Sequence, residues 1–190
     1  FPANTVQELI AYAKANPGKV NFASPGHGTP PHMVGEMFKQ RAAIDIVHVP
    51  YKGTAAALTD IMGEQVELTF ENPSVVVPLV QAGKLKALGV TGEARNPQIP
   101  NVPTMIEGGM ADFVSMSFTG LVAPAGTAPA IIKQLSDKLQ AGLATAELKA
   151  MMDKLGVIPR PGTPADFGVF LARESEKWQT VAKRANIRIN

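Results

Sequence analysis

VNFASPGHGTPPHMVGEMFKQR, residues 20–41, is the stretch whose reading decides the fold. Val20 to Ala23 reads as a brief strand, Ser24-Pro25-Gly26-His27-Gly28-Thr29-Pro30-Pro31 as a tight loop, and His32 to Arg41 as a helix with Met33, Met37 and Phe38 on one face. The sequence returns to this strand, loop and helix twice. Ile44 to Val49 predicts a strand, Tyr51-Lys52-Gly53-Thr54 a loop, and Ala55 to Met62 a helix stopped by Gly63. Val66 to Phe70 predicts the third strand, and Pro73 to Ala82 a helix stopped by Gly83. Strands joined through helices run parallel, so this part is expected to be α/β with a mostly parallel sheet.

Upstream, Thr5 followed three residues on by Glu8 is a capping box. It opens a helix with Leu9, Ile10 and Ala13 at helical spacing, which Asn16-Pro17-Gly18 stops. Downstream, Leu85 to Thr91 predicts a further strand, residues 96–103 a proline-punctuated loop, and Thr104 to Glu107 a short helix. The character then changes. Phe113 to Val122 reads as one long strand, and the chain beyond Pro124 is helix-rich: Ala128 to Leu143, Ala146 to Leu155 closed by Gly156, and Pro164 to Arg184 opened by Thr163 and Asp166. Only Val157-Ile158 and Ile187 to Ile189 offer short strands there, so the stripe of Ile131, Ile132, Leu135 and Leu139 has little sheet to cover. A boundary between Phe118 and Pro124 follows. Faces left uncovered in this way favour self-association.

With 190 residues, 45% hydrophobic and 18% charged, the chain is long and apolar enough to bury a core. Its 18 Lys+Arg against 16 Asp+Glu leave +2, too weak a field to hold a nucleic-acid backbone or an acidic bilayer. The absence of cysteine removes thiolate metal sites, thiol catalysis and disulfides, and suits either cytosol or periplasm. No apolar run approaches the roughly 20 residues of a membrane helix, and Phe1 to Thr5 shows none of the parts of a secretory leader.

The chemistry concentrates in the strand-to-helix loops, which should emerge at one sheet edge, where open α/β sheets bind ligands. In the first, Gly26 and Gly28 allow close backbone approach, Ser24 and Thr29 offer hydroxyls, and the helix start adds a positive dipole end. The same residues also suit a plain tight turn with Thr29 as a helix cap. The loop lacks a phosphate-loop or dinucleotide signature, and no nucleotide cofactor is expected. In the neighbouring loops, Asn72 offers an amide and Thr54 a hydroxyl with a helix-start amide. Lys52 either pairs with charge or is a solvated surface lysine, and Tyr51 either lines the pocket or packs beneath the loop. His27, His32 and His48 show no metal spacing, because two prolines part the first two and the third sits in a strand pattern. No metal is expected. Hydrolase elbow, zincin and paired-acid motifs are absent, and Glu71 beside Asn72 is a lone acid.

Taken in order, Ser24-Pro25-Gly26-His27-Gly28-Thr29 with His32, Val49-Pro50-Tyr51-Lys52-Gly53, Glu71-Asn72, Gly83-Lys84-Leu85-Lys86-Ala87-Leu88, Asn101-Val102-Pro103-Thr104, Leu121-Val122-Ala123-Pro124-Ala125-Gly126-Thr127 and Gly162-Thr163-Pro164 carry a family likeness over nearly the whole chain. The sequence resembles the Bug-type substrate-binding receptors of tripartite tricarboxylate transporters. That resemblance implies a periplasmic binding protein of the type II fold, not an enzyme, whose two α/β lobes close on a small carboxylate for a membrane permease. Residues 1–119 would form the second, ligand-binding lobe, and residues 120–190 the C-terminal part of the first, whose N-terminal part is absent from this chain. The ligand would be a di- or tricarboxylate, an acidic amino acid or an aromatic acid. It would be held by Ser24, Gly26, His27, Gly28 and Thr29, with Tyr51, Thr54 and Asn72 as neighbours and no cofactor. Phe118 stands where the family usually has Trp, and His27 falls at a variable family position. The alternatives are an enzyme that uses the same loop with His27 as acid or base, and a ligand-sensing module for a signalling partner.

Overall fold

A computed structural model describes residues 1–155 and 157–187. In chain order the elements are α1 (Val6–Ala15), β1 (Val20–Ser24), α2 (Pro30–Ala42), β2 (Ile46–Pro50), α3 (Thr54–Met62), β3 (Leu68–Thr69), α4 (Pro73–Gln81), α5 (Pro129–Leu143), α6 (Ala146–Leu155) and α7 (Pro164–Arg184). The α1 start forms as the capping box predicts: Thr5 Oγ1 accepts the Glu8 N–H at 3.1 Å, and the Glu8 carboxylate reaches back to the Asn4 N–H at 2.7 Å. α1 then buries Val6, Leu9, Ile10 and Ala13.

The three strands form one parallel sheet in the order β2-β1-β3. β1 pairs with β2 from Val20↔Ile46 to Ser24↔Pro50, and with β3 through Phe22↔Leu68 and Ala23↔Thr69. As the central strand, β1 is covered on both faces, and Val20, Phe22, Ala23 and Ser24 are all fully buried. α2 lies close on it because Gly35 has no side chain: a Cβ there would stand 2.2 Å from the Phe22 ring. Phe38 and Phe113 complete this core, with ring centroids 6.1 Å apart.

Several expectations are corrected. Residues 85–91 are not a strand: the chain there makes a single parallel bridge, Val90↔Thr104, secured by Val90 N–H to Pro103 and Met105 N–H to Val90. Residues 105–109 form a turn rather than a helix, with Glu107 accepting the Thr104 N–H at 2.7 Å. Residues 113–122 are extended without strand pairing. Ser115 is tied to Thr91 through its N–H at 2.8 Å and its carbonyl at 2.7 Å, a contact too short to make a ladder. A strand is defined by its partner, and the described residues supply none here. For the same reason Val157-Ile158 is irregular, as is Ile187, whose predicted strand otherwise lies outside the described residues.

The chain divides into two compact units, one of Phe1–Ser117 with the described residues from Thr180 on, the other Phe118–Gln179. In the first, Gln40 Nε2 donates to the Val181 carbonyl at 3.1 Å and Val181 is buried. In the second, Gly120 lies against Phe167, while Phe118 and Phe170 meet edge to face at 4.8 Å. No described apolar residue of this unit is fully buried, and Ile131, Leu135 and Leu139 are about half exposed.

Candidate functional site

Because β1, β2 and β3 run parallel, their C-terminal ends open three loops at one edge: residues 25–29, 51–53 and 70–72. The first loop is built by its own polar groups. Ser24, fully buried, donates its hydroxyl to the Gly26 carbonyl at 2.9 Å and accepts the Gly26 N–H at 3.2 Å. Thr29 Oγ1 donates to the same carbonyl at 2.7 Å. Gly26 and Gly28 take φ of +148° and +71°, a region that only glycine enters at no steric cost. The hydroxyls of Ser24 and Thr29 therefore shape the loop and have no proton to spare. α2 starts with Pro30 and Pro31, which lack N–H groups, so its first turn presents a dipole with few donors.

The α3 start differs. Gly53 caps it without a side chain and with open space around its Cα. The first-turn amides of Thr54, Ala55 and Ala56 have no intrahelical acceptor, so they point their N–H groups at the edge. At α4 the Asn72 carbonyl takes the Val75 and Val76 amides at 3.0 and 3.2 Å, leaving the Ser74 N–H. Asn72 Oδ1 accepts from Ser117 Oγ at 2.8 Å, so its amide NH2 is the outward donor. Tyr51 packs beneath the loop against Ala23, Ala57 and Val66, and its hydroxyl donates to Asp60 at 2.8 Å. Lys52 is exposed. The amides of Ala55 and Ser74 escaped the sequence reading, since only a resolved helix start shows which N–H groups lack acceptors.

Glu71 follows β3 and links two of these loops, reaching the α3 start through Thr54. Its carboxylate accepts from Thr54 Oγ1 and from the Asn72 N–H, both at 3.3 Å, yet burial outweighs both and pushes the carboxyl above its ordinary range. An acid between two donor loops opposes a second negative charge, which makes it a natural selector among anions.

The spacing argument against a histidine cluster does not survive the fold. The β1–β2 register sets His48 opposite Phe22, and the turn into α2 carries His27 and His32 to the same place. His32 and His48 stack with centroids 3.7 Å apart at 12°, and His27 meets them edge-on at 5.6 and 5.2 Å. His48 is pushed down to about 4 by burial and by its two imidazole neighbours, and His32 is lowered by burial and then by His27. Two concavities lie elsewhere, one of about 480 Å³ along α5 and one of about 420 Å³ at the α1 start. Among the described residues no helix is long and apolar enough to cross a membrane.

Residues 1–187 match the family described as the tripartite tricarboxylate transporter family receptor. Protein BugT of Bordetella pertussis is 32% identical over 186 residues, which are 98% of this chain and 57% of BugT. A UPF0065 protein from the gbd 5' region of Cupriavidus necator is 33% identical over 98% of this chain and 56% of its own length. The chain thus spans a little over half the length of the curated relatives it matches. Among solved structures, an R. palustris protein with adipate superposes with a TM-score of 0.81 at 32% identity, covering 98% of this chain and 62% of that one. MatC of Rhodopseudomonas palustris with bound malate gives 0.75 at 27%, covering 95% and 62%. The periplasmic binding protein BugD gives 0.76 at 33%, covering 99% and 64%. The parallel α/β sheet described above is shared with these receptors, which are binding proteins and not enzymes. The chain belongs to the tripartite tricarboxylate transporter family of receptors.

Proposed function

We propose that this chain is the larger part of a periplasmic receptor that captures a small carboxylate and passes it to a membrane permease. The observation that carries this reading is the group of acceptor-free amides at one sheet edge, Thr54 and Ala55 of α3 and Ser74 of α4, beside the Gly26–Thr29 loop. Amides at helix starts, joined by the Asn72 NH2, suit reversible capture of a carboxylate better than a fixed counter-charge does. Relatives solved with adipate and with malate support dicarboxylates as the class to try first. In this reading residues 1–119 form the ligand-binding lobe, joined by the described residues from Thr180 on, and the segment between them returns to the other. The exposed stripe of Ile131, Leu135 and Leu139 is then the face that the rest of that lobe, or a second copy, covers.

Charge-assisted hydrogen bonds contribute about 1.5–3 kcal/mol each, and a micromolar complex needs about 8 kcal/mol net of association costs. One lobe open to water falls short of that. Calorimetry with di- and tricarboxylates, acidic amino acids and aromatic acids should therefore give a dissociation constant weaker than micromolar for the 190-residue chain. The binding should disappear in Thr54→Pro, which deletes one first-turn amide at a position where helices accept proline. Micromolar affinity, or binding indifferent to Thr54→Pro, counts against this assignment. Glu71→Gln removes the like charge and should strengthen dicarboxylate binding by about tenfold at neutral pH. Unchanged affinity across that pair would place the ligand away from Glu71.

A further inference from the structure

Three imidazoles from three separate places in the first unit meet at the mouth of the Gly26–Thr29 loop: His27 in the loop, His32 in the first turn of α2 and His48 on β2. One ring nitrogen of each lies within 4.8 Å of the other two. The geometry points to a binding site for a divalent transition-metal ion of the zinc type, held by one nitrogen from each of His27, His32 and His48 with a fourth position open to water. This inference stands independently of the carboxylate reading.

The donor chemistry selects the ion. Three imidazoles suit zinc, cobalt, nickel or copper and have little to offer calcium or magnesium, which require oxygen. Burial and mutual proximity keep His32 and His48 neutral near pH 7, the form that ligates metal. Ligating histidines need an acceptor for the second nitrogen; His48 has one in place and His32 has a carboxylate nearby. Ser24, its own proton on the Gly26 carbonyl, can accept the His48 Nε2–H at 2.6 Å, which leaves Nδ1 of His48 with a lone pair to give. Glu36, one helical turn after His32, holds its carboxylate 3.9 Å from His32 Nε2. His32 Nδ1 now accepts the Gly28 N–H at 2.9 Å and would exchange that bond for the ion.

Closing the site takes small movements. Zinc–nitrogen bonds of about 2.0–2.1 Å at tetrahedral angles set the nitrogens about 3.4 Å apart. His27 is exposed and stands between two glycines, so it can swing inward. The stacked rings aim their lone pairs nearly parallel, so one must tilt. His48 is half-buried, whereas His32 is only 4% exposed, so His48 is the ring to tilt.

The test is zinc titration of the untagged, chelator-stripped 190-residue chain by calorimetry, with cobalt as the absorption probe. One zinc per chain is expected, with no heat from magnesium, and cobalt should give the intense visible bands of a site of fewer than six ligands. His27→Ala, at an exposed position, keeps the melting temperature of the stripped chain and weakens zinc by at least about tenfold. His48→Gln weakens zinc likewise. The absence of stoichiometric zinc binding overturns the proposal, as does zinc affinity unaltered by His27→Ala, which would locate the ion elsewhere. A cobalt spectrum of the six-coordinate aquo type would show a surface ion only and would equally overturn it.

Discussion

Gly35→Ala should destabilise the chain by about 2–3 kcal/mol, seen as a lower denaturant midpoint at an unchanged slope. The added Cβ would stand 2.2, 2.6 and 2.8 Å from three atoms of the Phe22 ring. That ring is fully buried on the central strand and has nowhere to retreat, with His48, Phe70 and His32 at centroid distances of 5.0, 6.2 and 6.3 Å. Alanine's better helix propensity returns only about 1 kcal/mol. A double-mutant cycle isolates the cause. Phe22→Ala alone costs about 3–5 kcal/mol through the cavity it leaves. In that background Gly35→Ala should turn neutral or stabilising, because the clash is gone and the helix gain remains. Additive costs would show that the close approach of α2 to β1 is not what forbids a side chain at position 35.

Stability should also fall steeply with pH in chelator-containing buffer, through His48. Its folded value of about 4 lies below the ordinary 6.5, so the unfolded chain binds the proton first. The contribution is fully present above pH 6.5 and is lost progressively as pH drops toward 4, to a total of about 3 kcal/mol. His32 on α2, facing His48 in the stack, acts in the same direction, and His27 in the loop adds its charge to both. Glu36 on α2 is raised by burial and opposes them: protonation favours its folded form, so its contribution grows as pH falls. Glu71, likewise raised by burial, acts in the same sense as Glu36. The comparison that matters is therefore with His48→Gln, whose profile between pH 6.5 and 4 should be flatter by that amount. Parallel profiles would mean that His48 titrates normally in the folded chain.

Much of this architecture was legible because it is local. Residues 20–41, 44–62 and 66–82 each carry strand, loop and helix in sequence, with prolines and glycines at the joints, and the structure forms all three units in parallel. The failures share one cause, which is that pairing is not local. Residues 85–91 and 113–122 have strand composition, yet among the described residues they form a bridge and scattered hydrogen bonds rather than a ladder, because strand formation depends on neighbours that their own residues do not specify. The histidines failed in the opposite direction. Their spacing along the chain is poor, but the register Phe22↔His48 brings them together. The loop's composition promised hydroxyl donors. Ser24 and Thr29 have them, but both are spent on the Gly26 carbonyl, which only coordinates could reveal. Gly35 gave no signal at all, since a glycine within a helix pattern looks the same whether or not a ring lies beneath it.

The prolines around the first loop bear on the cost of binding as well as on its shape. Pro25, Pro30 and Pro31 bracket a segment whose Gly26 carbonyl is tied by Ser24 and Thr29, so the folded loop is held in shape at that point and the prolines remove part of the freedom of the unfolded chain. On the proposed function, a carboxylate meeting this loop finds its tied part ordered, and less of the entropy ordinarily surrendered when a recognition loop freezes is charged against affinity. Selectivity at this edge is then a matter of fit to a stiff template, and chemically similar acids should be told apart by length and charge.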